Sequence, residues 1–347
     1  MRRTRCGIRL GGAKAAAGLA VAFAASPASA QDRLDVFEVW SSPPDMVLAS
    51  VDGVAEAPGG AIWVSDPMAV SVFAIDPDEG AVTLVARRGE GPGEVEAPDR
   101  IAVMPDGNMA VFDMSKVEVY TAGGESVRRI RLPVEVAWPK GFAALPSGGF
   151  AISGGIFSIG AAIHEFDAQG GLVRSWGDQS PALGLRERIV GSGGALYAGG
   201  DGLLYSQSAP HRIVGYGYGP DDPREGRVLA ELPGMLVHPG DGVIVELGEG
   251  DDWSRTFHPY FPQSRAVFEL PDSGILNVVV YNDDGYSVWQ VFESGALVAE
   301  DRVDVAYVPW FLCEDGTVLA TRLAPATDVP VVVRLRVLIE RAVIKNS

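Results

Sequence analysis

Ile101-Ala-Val-Met-Pro-Asp-Gly107-Asn-Met-Ala-Val-Phe-Asp113 reads as an apolar strand, a tight Asp-Gly turn and a second strand that ends on an acidic residue. A hairpin this short needs a residue at positive φ, which glycine adopts without steric cost. The phrase returns around Gly60 (Ala57 to Asp66), Gly148 (Phe142 to Ser153), Gly193 (Ile189 to Ala198), Gly274 (Val267 to Asn277) and Gly316 (Phe311 to Ala320). From Gly60 onward these glycines stand 47, 41, 45, 81 and 42 residues apart, and a four-stranded propeller blade takes about 40 to 50. Third and fourth strands follow the phrase, as in Lys116 to Tyr120, a turn at Gly123-Gly124, then Ser126 to Leu132. Apolar and polar residues alternate between the turns, which marks half-buried antiparallel strands. A two-sheet sandwich also uses short strands, but it does not repeat one phrase at blade spacing.

The reading is therefore an all-β, six-bladed β-propeller of four-stranded antiparallel blades, with seven blades as the alternative. The step of 81 residues holds either an insertion or a further repeat beginning at Val237 to Glu246. Only 32 residues separate Gly242 from Gly274, short for four strands, so the insertion is preferred. Blades are expected at about 47–97, 98–138, 139–187, 188–262, 263–308 and 309–344. The chain after Gly316 has room for two or three strands, at 318–321, 329–334 and 337–344. The alternating stretch 34–40 is expected to complete that last blade and remove an exposed edge.

Residues 1–30 differ from the rest. They carry Arg2, Arg3, Arg5, Arg9 and Lys14, no acidic residue, an Ala-rich apolar stretch and a terminal Ala28-Ser29-Ala30. This is the pattern of a secretory signal peptide, cleaved between Ala30 and Gln31 and delivering the protein to the periplasm or beyond. The apolar stretch is too short to span a bilayer, so no transmembrane anchor is expected. The remaining 317 residues hold 23 cations against 45 anions. Such a balance argues against nucleic acid as a partner, since that is bound through cationic surface. Cys313 is the one cysteine left, so neither an intrachain disulfide nor a cysteine-based zinc site can form.

Arg88-Gly-Glu-Gly-Pro-Gly-Glu94-Val-Glu-Ala-Pro98-Asp-Arg-Ile101, followed by Pro105-Asp-Gly107 and Asp113 to Tyr120, resembles an NHL-type repeat. The match is good over residues 88–125. Asp66 repeats the acidic position, whereas Ser153, Asn277 and Ala320 depart from it. Over its whole mature length the chain resembles extracytoplasmic six-bladed propellers related to NHL proteins. That family includes binding modules, ligand receptors and calcium-dependent hydrolases or lyases, so the resemblance implies architecture and leaves activity open.

No His-Glu-x-x-His motif, Gly-x-Ser-x-Gly elbow or phosphate loop ending in Gly-Lys-Ser/Thr occurs, and no catalytic residue is assigned. Gly89-Glu-Gly-Pro-Gly93 lacks the cation a phosphate loop needs and is read as a turn. Asp52, Asp99, Lys140 and Arg265 share one place in the repeat register, with Arg100 and Arg188 beside the corresponding position. Inner propeller strands face a central channel, so these charges can converge at its mouth and hold an anion, arginine being well matched to carboxylates. His211, where a second strand turns into a third, and Trp310, at an inner strand, complete the ligand-binding candidates. Asn282, Asp283 and Asp284 offer oxygens to calcium, but calcium takes six to eight from converging segments, and a plain Asn/Asp turn accounts for them.

The functional reading is a monomeric exported propeller that binds a small-molecule or protein ligand on one face without catalysis and needs no cofactor. One alternative is a calcium-dependent hydrolase or lyase acting on a small ester or lactone. Another is a structural subunit of an envelope assembly.

Overall fold

The computed structural model describes residues 33–156, 159–178, 194–200, 202–208, 211–218, 226–231, 263–271, 274–281, 285–325 and 327–341. The leader at 1–30, the phrase around Gly242, Arg188 and the Asn282-Asp283-Asp284 turn lie outside them. Within them every regular element is a strand. After β1 (Arg33–Ser41) come six consecutive groups. The first is β2 (Gly53–Glu56), β3 (Ile62–Asp66), β4 (Ser71–Ile75) and β5 (Val82–Ala86). The second is β6 (Pro98–Val103), β7 (Met109–Asp113), β8 (Lys116–Tyr120) and β9 (Ser126–Arg131). The third is β10 (Ala137–Ala144), β11 (Phe150–Gly155), β12 (Ala161–Phe166) and β13 (Leu172–Asp178). The fourth is β14 (Gly194–Ala198), β15 (Gly202–Ser208), β16 (His211–Gly217) and β17 (Arg227–Glu231). The fifth is β18 (Gln263–Glu269), β19 (Ile275–Tyr281), β20 (Tyr286–Glu293) and β21 (Ala296–Val303). The last is β22 (Val308–Leu312), β23 (Val318–Leu323) and β24 (Pro330–Glu340).

Five groups form antiparallel four-stranded sheets in chain order, and the sixth runs β1-β24-β23-β22. Each sheet's innermost strand touches the next, β2 to β6, β10, β14, β18, β22 and back to β2. That ring of contacts is closed, which leaves no place for a seventh blade and settles the count at six. β1 pairs with β24 from Arg33↔Glu340 to Ser41↔Val333, with a bulge between Glu38 and Trp40. The stretch read as two strands at 329–334 and 337–344 is one strand of eleven residues, because no glycine or proline interrupts it after Pro330.

Burial follows each blade outward. β3, β7 and β8 are buried along their whole length because neighbouring blades cover both faces, whereas β5 and β9 expose most of their residues to solvent. The hydrophobic core is six cores, one in each seam between adjacent blades. Trp63 and Tyr120, for example, meet across the seam of blades 1 and 2 with ring centroids 5.7 Å apart.

The acidic end of the second strand has a structural task. Asp66 accepts hydrogen bonds from Ala49 N (2.7 Å), Ser50 N (3.1 Å) and Ala69 N (2.9 Å). Asp113 accepts from Ala97 N (2.6 Å) and Glu96 N (2.9 Å), and Lys116 Nζ stands 3.3 Å away. Both carboxylates are fully buried and pin the loop that leads into their own blade's inner strand. The turn at 89–93 is likewise held: Arg129, ion-paired with Glu118, donates to the carbonyls of Glu90 and Gly91. Carbonyls turned onto an arginine leave that loop no cradle for phosphate.

Candidate axial binding site

The inner strands approach one another so closely near the axis that two positions demand glycine. A Cβ on Gly53 would meet Asp99 O at 2.5 Å and Ile101 N at 2.9 Å, and one on Gly141 would meet Leu196 N at 2.6 Å. Next to these contacts the strand ladders slip. β6 is irregular between Pro98 and Ile101, β10 between Ala137 and Gly141, β18 between Ser264 and Ala266, and β22 between Pro309 and Phe311. Among the residues left out of the ladder are Asp99 and Arg100, Lys140, Arg265 and Trp310. A β-bulge re-aims the side chain it releases, and here Arg100, Lys140, Arg265 and Trp310 all line one small cavity of about 50 Å³ together with inner-strand backbone.

Arg100 is the fixed member. It donates from Nη1 to Asp52 O (2.9 Å, blade 1) and from Nη2 to Pro139 O (3.1 Å, blade 3). Its Nε lies 3.1 Å from Asp99 Oδ1, and its guanidinium carbon sits 4.9 Å from the centre of the Trp310 ring of blade 6. The buried Nε of Arg265, like that of Arg100, has no hydrogen-bond partner among the described residues. A buried donor left unpaired is costly, which makes Arg265 receptive to an incoming acceptor.

Burial and mutual repulsion set the protonation of the group. Asp99 is raised to about 6 by burial, against the opposing pull of Arg100. Lys140 is lowered to about 8 by burial and then by the nearby charges of Arg265 and Arg100. Arg265 is lowered to about 10 by burial and Arg100. Three cations face the carboxylates of Asp52 and Asp99, an excess of one positive charge in a strongly acidic protein.

A second, larger cavity of about 510 Å³ adjoins the first and shares Arg265 and Trp310 with it. The loops after β21 and β23 and the end of β23 itself supply much of its wall, with Val305, Ala306, Leu323 and Pro325. Such a volume lies within the range of small-molecule pockets, about 300 to 1,000 Å³. Sequence reading missed this trough, because apolar loop residues carry no periodicity or motif that separates them from core.

Asp52, Asp99, Lys140 and Arg265, singled out by register, are thus assembled at the axis with Arg100 beside them and with the inner-strand Trp310. His211 is not. It opens β16, the third strand of its sheet, lines neither cavity, and has no hydrogen-bond partner for either ring nitrogen among the described residues; burial lowers its pKa to about 4. His164 is a fully buried strand histidine bonded to Ser175 Oγ (2.8 Å) and Gly154 O (3.2 Å), also lowered to about 4 by burial. Cys313 is buried, and its thiol is pushed up to about 12 by desolvation, the opposite of an activated nucleophile.

No protein-family model and no curated protein matches this chain. Solved structures do. A calcium-binding protein, regucalcin, from Agrobacterium tumefaciens superposes with a TM-score of 0.57 at 12% identity, covering 88% of this chain and 96% of its own. A gluconolactonase from Xanthomonas campestris gives 0.55 at 11%, with 89% and 96% covered. Virginiamycin B lyase from Staphylococcus aureus, solved with quinupristin, gives 0.51 at 14%, with 84% and 82% covered. At such identities these likenesses establish the six-bladed propeller and no more; the NHL-type repeat stays a local resemblance over residues 88–125.

Calcium, named for one neighbour, finds a poor setting here. The polar side chains lining the axial cavity are cations, Asp99 faces Arg100, and no group of three or more His, Cys, Asp or Glu converges among the described residues. A divalent cation needs several converging oxygens.

Proposed function

We propose that the propeller takes up a small organic anion at its axial mouth and acts on it there as a hydrolase or lyase. The observation that carries the proposal is the convergence of Arg100, Lys140 and Arg265 from three blades on one cavity, with the Nε atoms of Arg100 and Arg265 lacking a hydrogen-bond partner among the described residues. The guanidinium and ammonium groups would hold a carboxylate, or the oxyanion that develops when an ester or lactone opens. Lys140 near 8 and Asp99 near 6 can each exchange a proton close to neutrality, as general bases and acids must. The lactonase and lyase among the solved neighbours lend the reaction class by analogy alone. The poor fit to calcium makes the calcium-dependent form of this chemistry the less supported one. The composition of the leader at 1–30 supports placing the protein outside the cytoplasm, and no helix among the described residues is long and apolar enough to cross a membrane.

The test is a panel of lactones and esters bearing a carboxylate, followed by NMR with the purified mature protein. Turnover that survives chelation and is lost in Lys140→Met is expected; a panel neither bound nor converted would overturn the proposal. A second reading, binding without turnover, is favoured by the immobility of Arg100, whose guanidinium is tied to two backbone carbonyls. Saturable binding with no product would select it.

A further inference from the structure

The proposed function leaves open what kind of anion the mouth is built for, and the larger cavity bears on that. Its wall is largely aliphatic, with Val305, Ala306, Val308, Leu323, Pro325 and Pro330, and it begins at Arg265 and Trp310, where the cation cluster ends. Asp52 and Arg265 border its inner end as members of the charge cluster, and the other polar side chains that line it are engaged. Thr321 Oγ1 accepts the Trp310 indole N–H at 2.9 Å. Arg322 is ion-paired with Glu38, and Asp304 lies 3.1 Å from Arg302 Nε. The trough therefore has apolar surface to offer and few free hydrogen-bonding groups. A polyhydroxylated body placed there would exchange water for unpaired contacts, which is unfavourable, whereas an apolar body would gain from leaving water.

From this junction we infer that the ligand is an amphiphilic monocarboxylate: its carboxylate lies against Arg265 and Lys140, and its apolar body lies along the trough past Trp310 towards Leu323. The excess of one positive charge at the mouth matches one carboxylate. The inference rests on the proposed anion site and adds the character of the rest of the molecule. Two features carry it, a cluster of charges on the inner strands and an apolar wall built by the last blade's strand ends and the loops beside them.

Calorimetric titration of the mature protein with acetate, butanoate, hexanoate, octanoate, octanol and gluconate tests it. Affinity is expected to rise about fourfold for each added methylene, the gain from burying one CH₂. Gluconate should bind no better than acetate, and octanol much more weakly than octanoate. Arg265→Gln should weaken every acid tenfold or more and leave the chain-length slope intact. Leu323→Ser, at an exposed position, should flatten the slope and spare acetate. Equal affinity for gluconate and octanoate, both lowered by Arg265→Gln, would overturn the apolar-body inference and leave the anion site standing. Acids that fail to bind, or that bind Arg265→Gln as well as wild type, would overturn the anion site itself.

Discussion

Lys140 makes the mouth sensitive to pH. Its ammonium is charged below about 8 and neutral above, while the Asp99 carboxyl is neutral below about 6 and charged above. Both changes remove positive charge as pH rises, so affinity for a carboxylate should fall in two steps, near 6 and near 8. Binding isotherms from pH 5 to 9 measure this; Lys140→Met should erase the upper step and Asp99→Asn the lower one. Asp66 and Asp113 act on stability instead. Asp66→Ala strands three backbone N–H donors and should cost about 3 kcal/mol in urea unfolding, with Asp66→Asn losing roughly half as much. The two acids were legible as a repeated position in the sequence, but their work was not, since all but one of the amides they hold lie 16 and 17 residues earlier. In the same way the register of Asp52, Asp99, Lys140 and Arg265 was visible, while the bulges that turn these side chains inward were not. A bulge depends on the partner strand, and no single stretch of sequence encodes it.

At the scale of the strand, Gly53 and Gly141 let inner strands meet backbone to backbone. Gly53→Ala drives a methyl into Asp99 O and should lower the melting temperature and disturb the Arg100 contacts beside it. The closing strand β1 is bound by Glu38, which accepts from Tyr307 Oη (2.8 Å) and pairs with Arg322. Strands β12 and β16 carry buried neutral histidines. His164 and His211 bind protons near 4 when folded and near the ordinary 6.5 when unfolded. Between those values the unfolded chain takes up more protons, so stability should drop as pH falls from about 6.5 to about 4. Chemical unfolding at pH 7 and pH 4.5 checks the drop, and His164→Gln with His211→Gln should make it shallower. Hairpins with Asp-Gly turns, such as Ile101 to Asp113, were the most legible elements. The division of β24 into two strands was the error, because alternation alone does not say where an unbroken apolar run stops.

The whole molecule is a ring of sheets whose stability lies in six seams. Six blades could be read from glycine spacing and the closing of the last blade by 34–40 from its alternation, whereas the contact between the inner strands β22 and β2 is displayed only by the folded structure. The seams are unequal. Between blades 5 and 6 lies an extensive apolar core, whereas between blades 4 and 5 a buried polar run, Ser206 and Ser264 with Asn277, continues through Gln290 to Glu300. The ring also decides the site, since only a closed circle of inner strands can set Arg100, Lys140 and Arg265 around one axis. That arrangement is met most directly by a crystal structure of the mature protein soaked with 8-bromooctanoate, the bromine located by its anomalous signal. The carboxylate should lie within hydrogen-bond distance of Arg265 and Lys140, and the bromine in the trough between Trp310 and Leu323. Bromine at unrelated surface sites, with Arg265 unliganded at saturating acid, would contradict the account.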